Sequence, residues 1–149
     1  MPGSVRTRAT TVLALTAVLS SAGCGLAIPN DPDGTLRDVT GGTLRVGVDT
    51  NSGVEPLIEV VEGFADQLDA EIEWHEHGEE HLVAMLEGDD IDLAVGGFTD
   101  QTPWSSRAGM TRPIVGIPAL DDPTVLLVQL GENAFLTELE AYLDAEDLT

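Results

Sequence analysis

Lysine is absent from this 149-residue chain, and six arginines face 27 aspartates and glutamates. The resulting formal charge of −21 repels phosphate backbones and anionic headgroups. Nucleic acid and anionic lipid surfaces are therefore poor candidates as electrostatic partners. Such a surface suits cations, a salty habitat or simple solvation. Cysteine occurs once, at Cys24, which rules out an intrachain disulfide. Aromatics amount to two Trp, one Tyr and three Phe, so few side chains can stack on a flat ligand. Long apolar runs are also missing. The best stretch, "ATTVLALTAVL" at 9–19, falls short of the ~20 residues that a bilayer span needs.

That stretch has another use. "MPGSVRTR" (1–8) carries two arginines and no acid, the apolar run follows, and then come the small residues "SSAGC". Positive, apolar and small-residue regions in this order are those of a secretory signal peptide, expected over 1–23. "SAGC" resembles the lipobox of bacterial lipoproteins, in which the cysteine is acylated and becomes the first mature residue. Ser21 stands where that motif more often has an aliphatic residue, and ordinary cleavage after Ala27 is the competing reading. The resemblance implies lipidation at Cys24 and a chain held on the extracytoplasmic face of the cell membrane, each buried acyl methylene contributing ~0.8 kcal/mol. Residues 24–42, rich in Pro, Gly and Asp without apolar periodicity, read as a flexible tether.

Regular patterning begins at residue 43. "TLRVGVDT" (43–50) alternates as a strand and ends in the turn "NSG". Pro56 suits the first turn of a helix, and Leu57, Val60, Val61, Phe64 and Leu68 follow at helical spacing. "AEIEWHEH" reads as a second strand, with Ile72 and Trp74 on one face. "EEHLVAMLEG" is a short helix with Gly88 as its stop, and "DIDLAVGGF" an apolar strand suited to the centre of a parallel sheet. Strand, helix, strand, helix, strand is a βαβαβ unit with right-handed crossovers. A loop, "TDQTPWSSRAGMT", two further strands, "PIVGI" and "TVLLVQL", and a helix N-capped by Asn133 complete one α/β domain over 43–149.

The order of these pieces resembles the extracytoplasmic solute-binding proteins of ABC importers, of the polar amino-acid type. "GTLRVGVDT" looks like their first strand, and "VEGFADQLDAEIEW" is similar to the segment after it. "LVAMLEGDDIDLAVGGFT" matches their helix, Gly stop, strand and Gly-Gly-x-Thr order. "LVQLGENAFLTELEAYL" looks like their closing strand and helix. The resemblance implies a three-layer α/β sandwich with a mainly parallel sheet, like lobe one of a type II periplasmic binding protein. Only "PALDDP" separates Ile117 from the returning strand, so the second lobe of those proteins is absent. A two-lobed relative binding at ~1 μM would gain about −8.2 kcal/mol, and half of its contacts would leave roughly millimolar binding. Weak capture follows, or a site completed by a membrane transporter or a second copy.

By the same resemblance, the solute contacts Asp49 and the turn up to Ser52, then Thr99, Asp100 and Thr102 after the third strand. The aromatic that usually stacks on the solute in the first turn is missing. An arginine two residues past Pro103 normally clamps an α-carboxylate. Ser105 occupies that offset, and the arginine comes at Arg107, open to a clamp or to a stabilising ion pair. Trp104 either stacks on a ligand or covers the sheet.

All three histidines lie in "WHEHGEEHL" (74–82), where His77-Gly78-Glu79-Glu80-His81 fits the zinc pattern H-x-x-E-H. That chemistry needs both histidines on one helical face, and Gly78 argues against a helix running through His77. A metal site of His75, His77 and His81 is the remaining reading, against an acidic solvated turn. Neither a nucleophile–base pair nor a phosphate-binding glycine loop is present. The chain reads as a non-enzymatic, cofactor-free lipoprotein that binds a small polar solute. Its rivals are an interaction lipoprotein with a degenerate site and a metal-binding one.

Overall fold

The computed structural model describes residues 30–120 and 122–149. The expected signal peptide over 1–23 and Cys24 lie outside the described residues. The elements run α1 (Thr35–Val39), β1 (Thr43–Val48), α2 (Glu55–Gln67), β2 (Glu71–Glu76), α3 (Glu79–Glu87), β3 (Leu93–Val95), β4 (Ala108–Met110), β5 (Leu127–Gln129) and α4 (Asn133–Ala145). The strands form one sheet in the order β2-β1-β3-β5-β4. β1 is parallel to β2 and β3, whereas β5 is antiparallel to both β3 and β4. Four of the five strands thus point one way, with β5 reversed among them.

Alternation along the strands divides the core between two layers of helix. Leu44, Val46, Val48, Leu93, Val95, Leu126 and Val128 face α2 and α4. Phe64 of α2 sits at the centre of that side, with ring centroids 5.7 Å from Phe135 and 5.6 Å from Tyr142 of α4. Full burial of a ring such as Phe64 or Phe135 contributes roughly 1.5–3 kcal/mol. Ala94, Val125 and Leu127 face the opposite way, onto Leu82, Val83 and Leu86 of α3. A Cβ at Gly47 would lie 2.5 Å from Leu82 Cδ2 and 2.6 Å from Ile91 Cδ1, so its absence lets α3 dock on β1. The result is a three-layer α/β sandwich.

Four expectations need correction. The stretch "PIVGI" forms no strand; Ile114 makes only an isolated bridge to Thr124, and Gly116 has φ +81°. Pro113 lacks the donor that a ladder would need. The edge strand is instead Ala108–Met110, inside the stretch read as a loop. Gly109 allows this, because a Cβ there would press on Val128 Cγ2 at 3.0 Å.

The expected tether over 24–42 is not one throughout. Residues 35–39 form α1, with Thr35 and Val39 buried. Its start is held by Glu132, whose carboxylate accepts from Asp33 N at 3.0 Å and Thr35 N at 3.2 Å.

Gly88 does stop α3 as its C-cap, its N–H donating to Ala84 O at 3.0 Å, but at φ −87° it is not the left-handed residue. The left-handed position is Asp89, φ 57°, just as Asp69 and Asp147 follow α2 and α4 at φ 53° and 58°. Aspartate tolerates that region better than most side chains. Finally, the residue that caps α4 is Glu132, and Asn133 is already helical.

Candidate functional site

β1 and β3 end side by side, Val48 opposite Val95. Asp49 N donates to Val95 O at 2.9 Å, and the chain then turns away in a 3-10 turn, Thr50–Ser52. The Asp49 carboxylate holds that turn by accepting from Asn51 N at 3.0 Å and Asn51 Nδ2 at 3.1 Å. Gly53 reverses the chain at φ 66°. Beyond β3, a Cβ at exposed Gly97 would sit 3.1 Å from Glu79 Oε1 and 3.5 Å from Ser52 Oγ. Its absence lets the β1 turn and the first turn of α3 approach the end of β3.

The next residues fold back tightly. Thr99 Oγ1 accepts from Gln101 N at 3.3 Å, and Thr99 O accepts from Thr102 N at 3.0 Å. Residues 118–120 and 122–124 complete the far wall, fixed by Leu120 N to Ile117 O at 3.0 Å and Val125 N to Phe98 O at 2.9 Å. Between them lies a hollow of about 280 Å³, lined by Ser52, Gly53, Gly97, Thr99, Ala119, Leu120, Asp122 and Thr124. It opens at the carboxyl ends of β1 and β3, where the chain changes the side of the sheet on which it adds strands. In open α/β sheets that crevice is the usual place for a ligand.

Of the residues expected to bind, Thr99 lines the hollow and Asp49 shapes one of its walls. Asp100 is exposed beside Thr99, and Thr102 only closes the turn behind it. Trp104 is half-buried and packs on the cluster around α3, so it covers the sheet. Arg107 stacks over that ring, 5.3 Å from its centroid, and Arg107 Nε donates to Glu87 Oε1 at 2.7 Å. A second bond joins Nη2 to Glu87 Oε2, and the guanidinium holds the Glu87 carboxyl below its ordinary range.

The register places this pair at the opposite rim. Ala108 pairs with Gln129, one residue beyond the Val128 that pairs with Leu93 at the start of β3. Glu87 likewise ends the helix that Glu79 begins near the hollow. The structure thus commits Arg107 to an ion pair with Glu87 toward the start of β3, and Arg107 does not line the hollow.

The histidines do not assemble as a metal set. β2 ends at Glu76 and α3 begins at Glu79, with Gly78 extended at ψ 157°, so His77 is outside the helix that carries His81. The His77 and His81 rings meet at 4.4 Å between centroids, whereas His75 Nε2 lies 3.4 Å from Glu73 Oε1. Among the described residues no three His, Cys, Asp or Glu are grouped to hold a metal ion.

Leu120, Asp122 and Thr124 were not expected at the site. They belong to "PALDDP" and its continuation, whose turn chemistry predicts only a connection.

No protein-family model matches the chain, and no curated protein does. Solved structures do. The arginine-bound form of domain 1 from TmArgBP aligns with a TM-score of 0.61 at 15% identity, covering 73% of this chain and 97% of that one. An ancestral cationic amino acid solute binding protein aligns with a TM-score of 0.65 at 11% identity, covering 76% and 93%. An ancestral arginine-binding protein bound to glutamine aligns with a TM-score of 0.59 at 12% identity, covering 71% and 92%. At such identities the likeness is one of fold, and the fold is that of a single domain of a periplasmic solute-binding protein.

Proposed function

We propose that this chain is an extracytoplasmic lipoprotein, acylated at Cys24 and anchored at the cell membrane, whose single lobe binds a small polar solute such as an amino acid. Binding is non-catalytic. It is weak, or completed by a membrane transporter of the ABC importer type or by a second copy. One observation carries this reading: the hollow opens at the carboxyl ends of β1 and β3, flanked by the hydroxyls of Ser52 and Thr99. The arginine-bound domain 1 from TmArgBP offers a precedent for one lobe holding an amino acid without its partner lobe. The polar lining suits orientation of a solute by hydrogen bonds, and the open side fits weak or partner-completed binding.

Amide NMR of the lipid-free chain from Gly25 onward, titrated with polar amino acids and amines, tests this. Shifts confined to Ser52, Gly53, Gly97, Thr99 and Asp122 are expected, with half-saturation near ~1 mM. A panel that moves none of these amides, even at concentrations well above that, sinks the proposal. For the anchor, Cys24→Ser is expected to release the chain from the membrane fraction.

A second reading, an interaction lipoprotein that kept the fold and lost the site, is favoured by two observations. Among the described residues the hollow has no aromatic lining, and Arg107 is engaged by Glu87. Silence in the titration together with a co-purifying membrane protein supports it.

A further inference from the structure

Resting on the reading of the hollow as a solute site, we infer that it selects organic cations that lack a carboxylate, such as diamines and guanidino-amines, over amino acids.

An α-carboxylate needs a cation or a cluster of free donors to replace its water. Among the described residues each of the four arginines is already held by acids. Arg37 pairs with Asp38, and Arg45 with Asp92 and Asp89. Both belong to the rim where β1 begins. Arg107 is bound by Glu87 at that same rim. Arg112 is bound to Asp144 at 2.8 Å and lies 3.5 Å from Glu140, and its own backbone N–H also donates to Glu140 at 2.8 Å. No lysine exists to take their place.

The charge that does reach the hollow is negative. Asp122 lines it, Glu79 Oε1 stands at the Gly97 edge, and Asp49 closes the β1 turn. A solute carboxylate would enter against like charge, whereas an ammonium or guanidinium would find hydroxyl and carboxylate acceptors. A metal ion fits less well, since no three ligand groups converge among the described residues.

Two matched pairs separate these cases: agmatine against arginine, and cadaverine against lysine. The members of each pair differ only in the α-carboxylate. The full chain in detergent is titrated with each by calorimetry at physiological ionic strength, where diffuse attraction is screened. The decarboxylated member is expected to bind about tenfold more tightly in both pairs. Asp122→Asn should weaken agmatine several-fold. Asp69→Asn, far from the hollow and compatible with φ 53°, should leave it unchanged.

Arginine and lysine binding as tightly as their decarboxylated partners overturns the inference while leaving the solute site standing. So does an equal loss in both variants, which would mean attraction to the acidic surface alone. If no amine or amino acid binds, the solute site itself falls, and this inference with it.

Discussion

Glu132 shows what one buried side chain can hold together. It is 1% exposed, and its two oxygens accept the Asp33 and Thr35 amides, groups that an α-helix leaves unsatisfied at its start. Glu132→Gln removes one acceptor and turns an amide donor toward those N–H groups. A loss of about 1–3 kcal/mol in denaturant unfolding is expected. Asp31 is the strained partner. Burial first, then the hydrogen bond with Glu132, raises its pKa above the ordinary aspartate value. A carboxyl whose folded pKa is raised adds stability below its unfolded pKa and loses it as pH rises through the folded value. Ionised Asp31 therefore costs stability near neutrality. Asp31→Asn cannot ionise, so the variant is expected to melt higher than the parent at neutral pH. That advantage should vanish in acid below the ordinary aspartate range, and thermal melts across pH check it.

Among the elements, α2, α3 and α4 were legible because their apolar residues recur every three or four positions. Leu57, Val60, Val61 and Phe64 bury on α2, and Phe135, Leu139 and Leu143 on α4, as that spacing requires. β4 was illegible for the complementary reason. Three residues, Ala-Gly-Met, hold too little pattern, and their pairing partner in β5 lies across a long connection. α1 hid in a polar stretch because its start depends on a carboxylate 97 residues away from Thr35. The contact of α3 with the sheet gives an element-scale test. Gly47→Ala places a methyl against Leu82 and Ile91, and overpacking of this kind costs about 1–3 kcal/mol. The expected readout is a lower denaturant midpoint with an unchanged slope.

For the whole molecule, charge is the dominant fact. With 27 acids and six arginines, self-repulsion opposes compaction, and the paired arginines offset only part of it. Salt should therefore stabilise. The melting midpoint is expected to rise from low to moderate ionic strength and level off once the Debye length falls below ~10 Å. A midpoint that falls with salt would mean that the surface ion pairs outweigh repulsion. Part of the candidate site was legible at this scale too. Ser52 and Thr99 follow from where β1 and β3 end. The opposite wall at Leu120, Asp122 and Thr124 does not, since nothing in a turn-forming segment says which rim it will close.

The sequence by itself determined the βαβαβ core, the impossibility of an intrachain disulfide among these residues, the acidity and the exclusion of a helical zinc motif at Gly78. Each depends on composition or on patterns within about ten residues, which backbone geometry reads locally. Only the tertiary structure decided that Arg107 does not line the hollow and is bound to Glu87, 20 residues earlier. It alone joined Asp33 to Glu132 across 99 residues and built the hollow from both β–turn junctions and the segments 118–120 and 122–124. Those outcomes rest on packing between distant segments, where side-chain volume and burial, not local propensity, choose the partner.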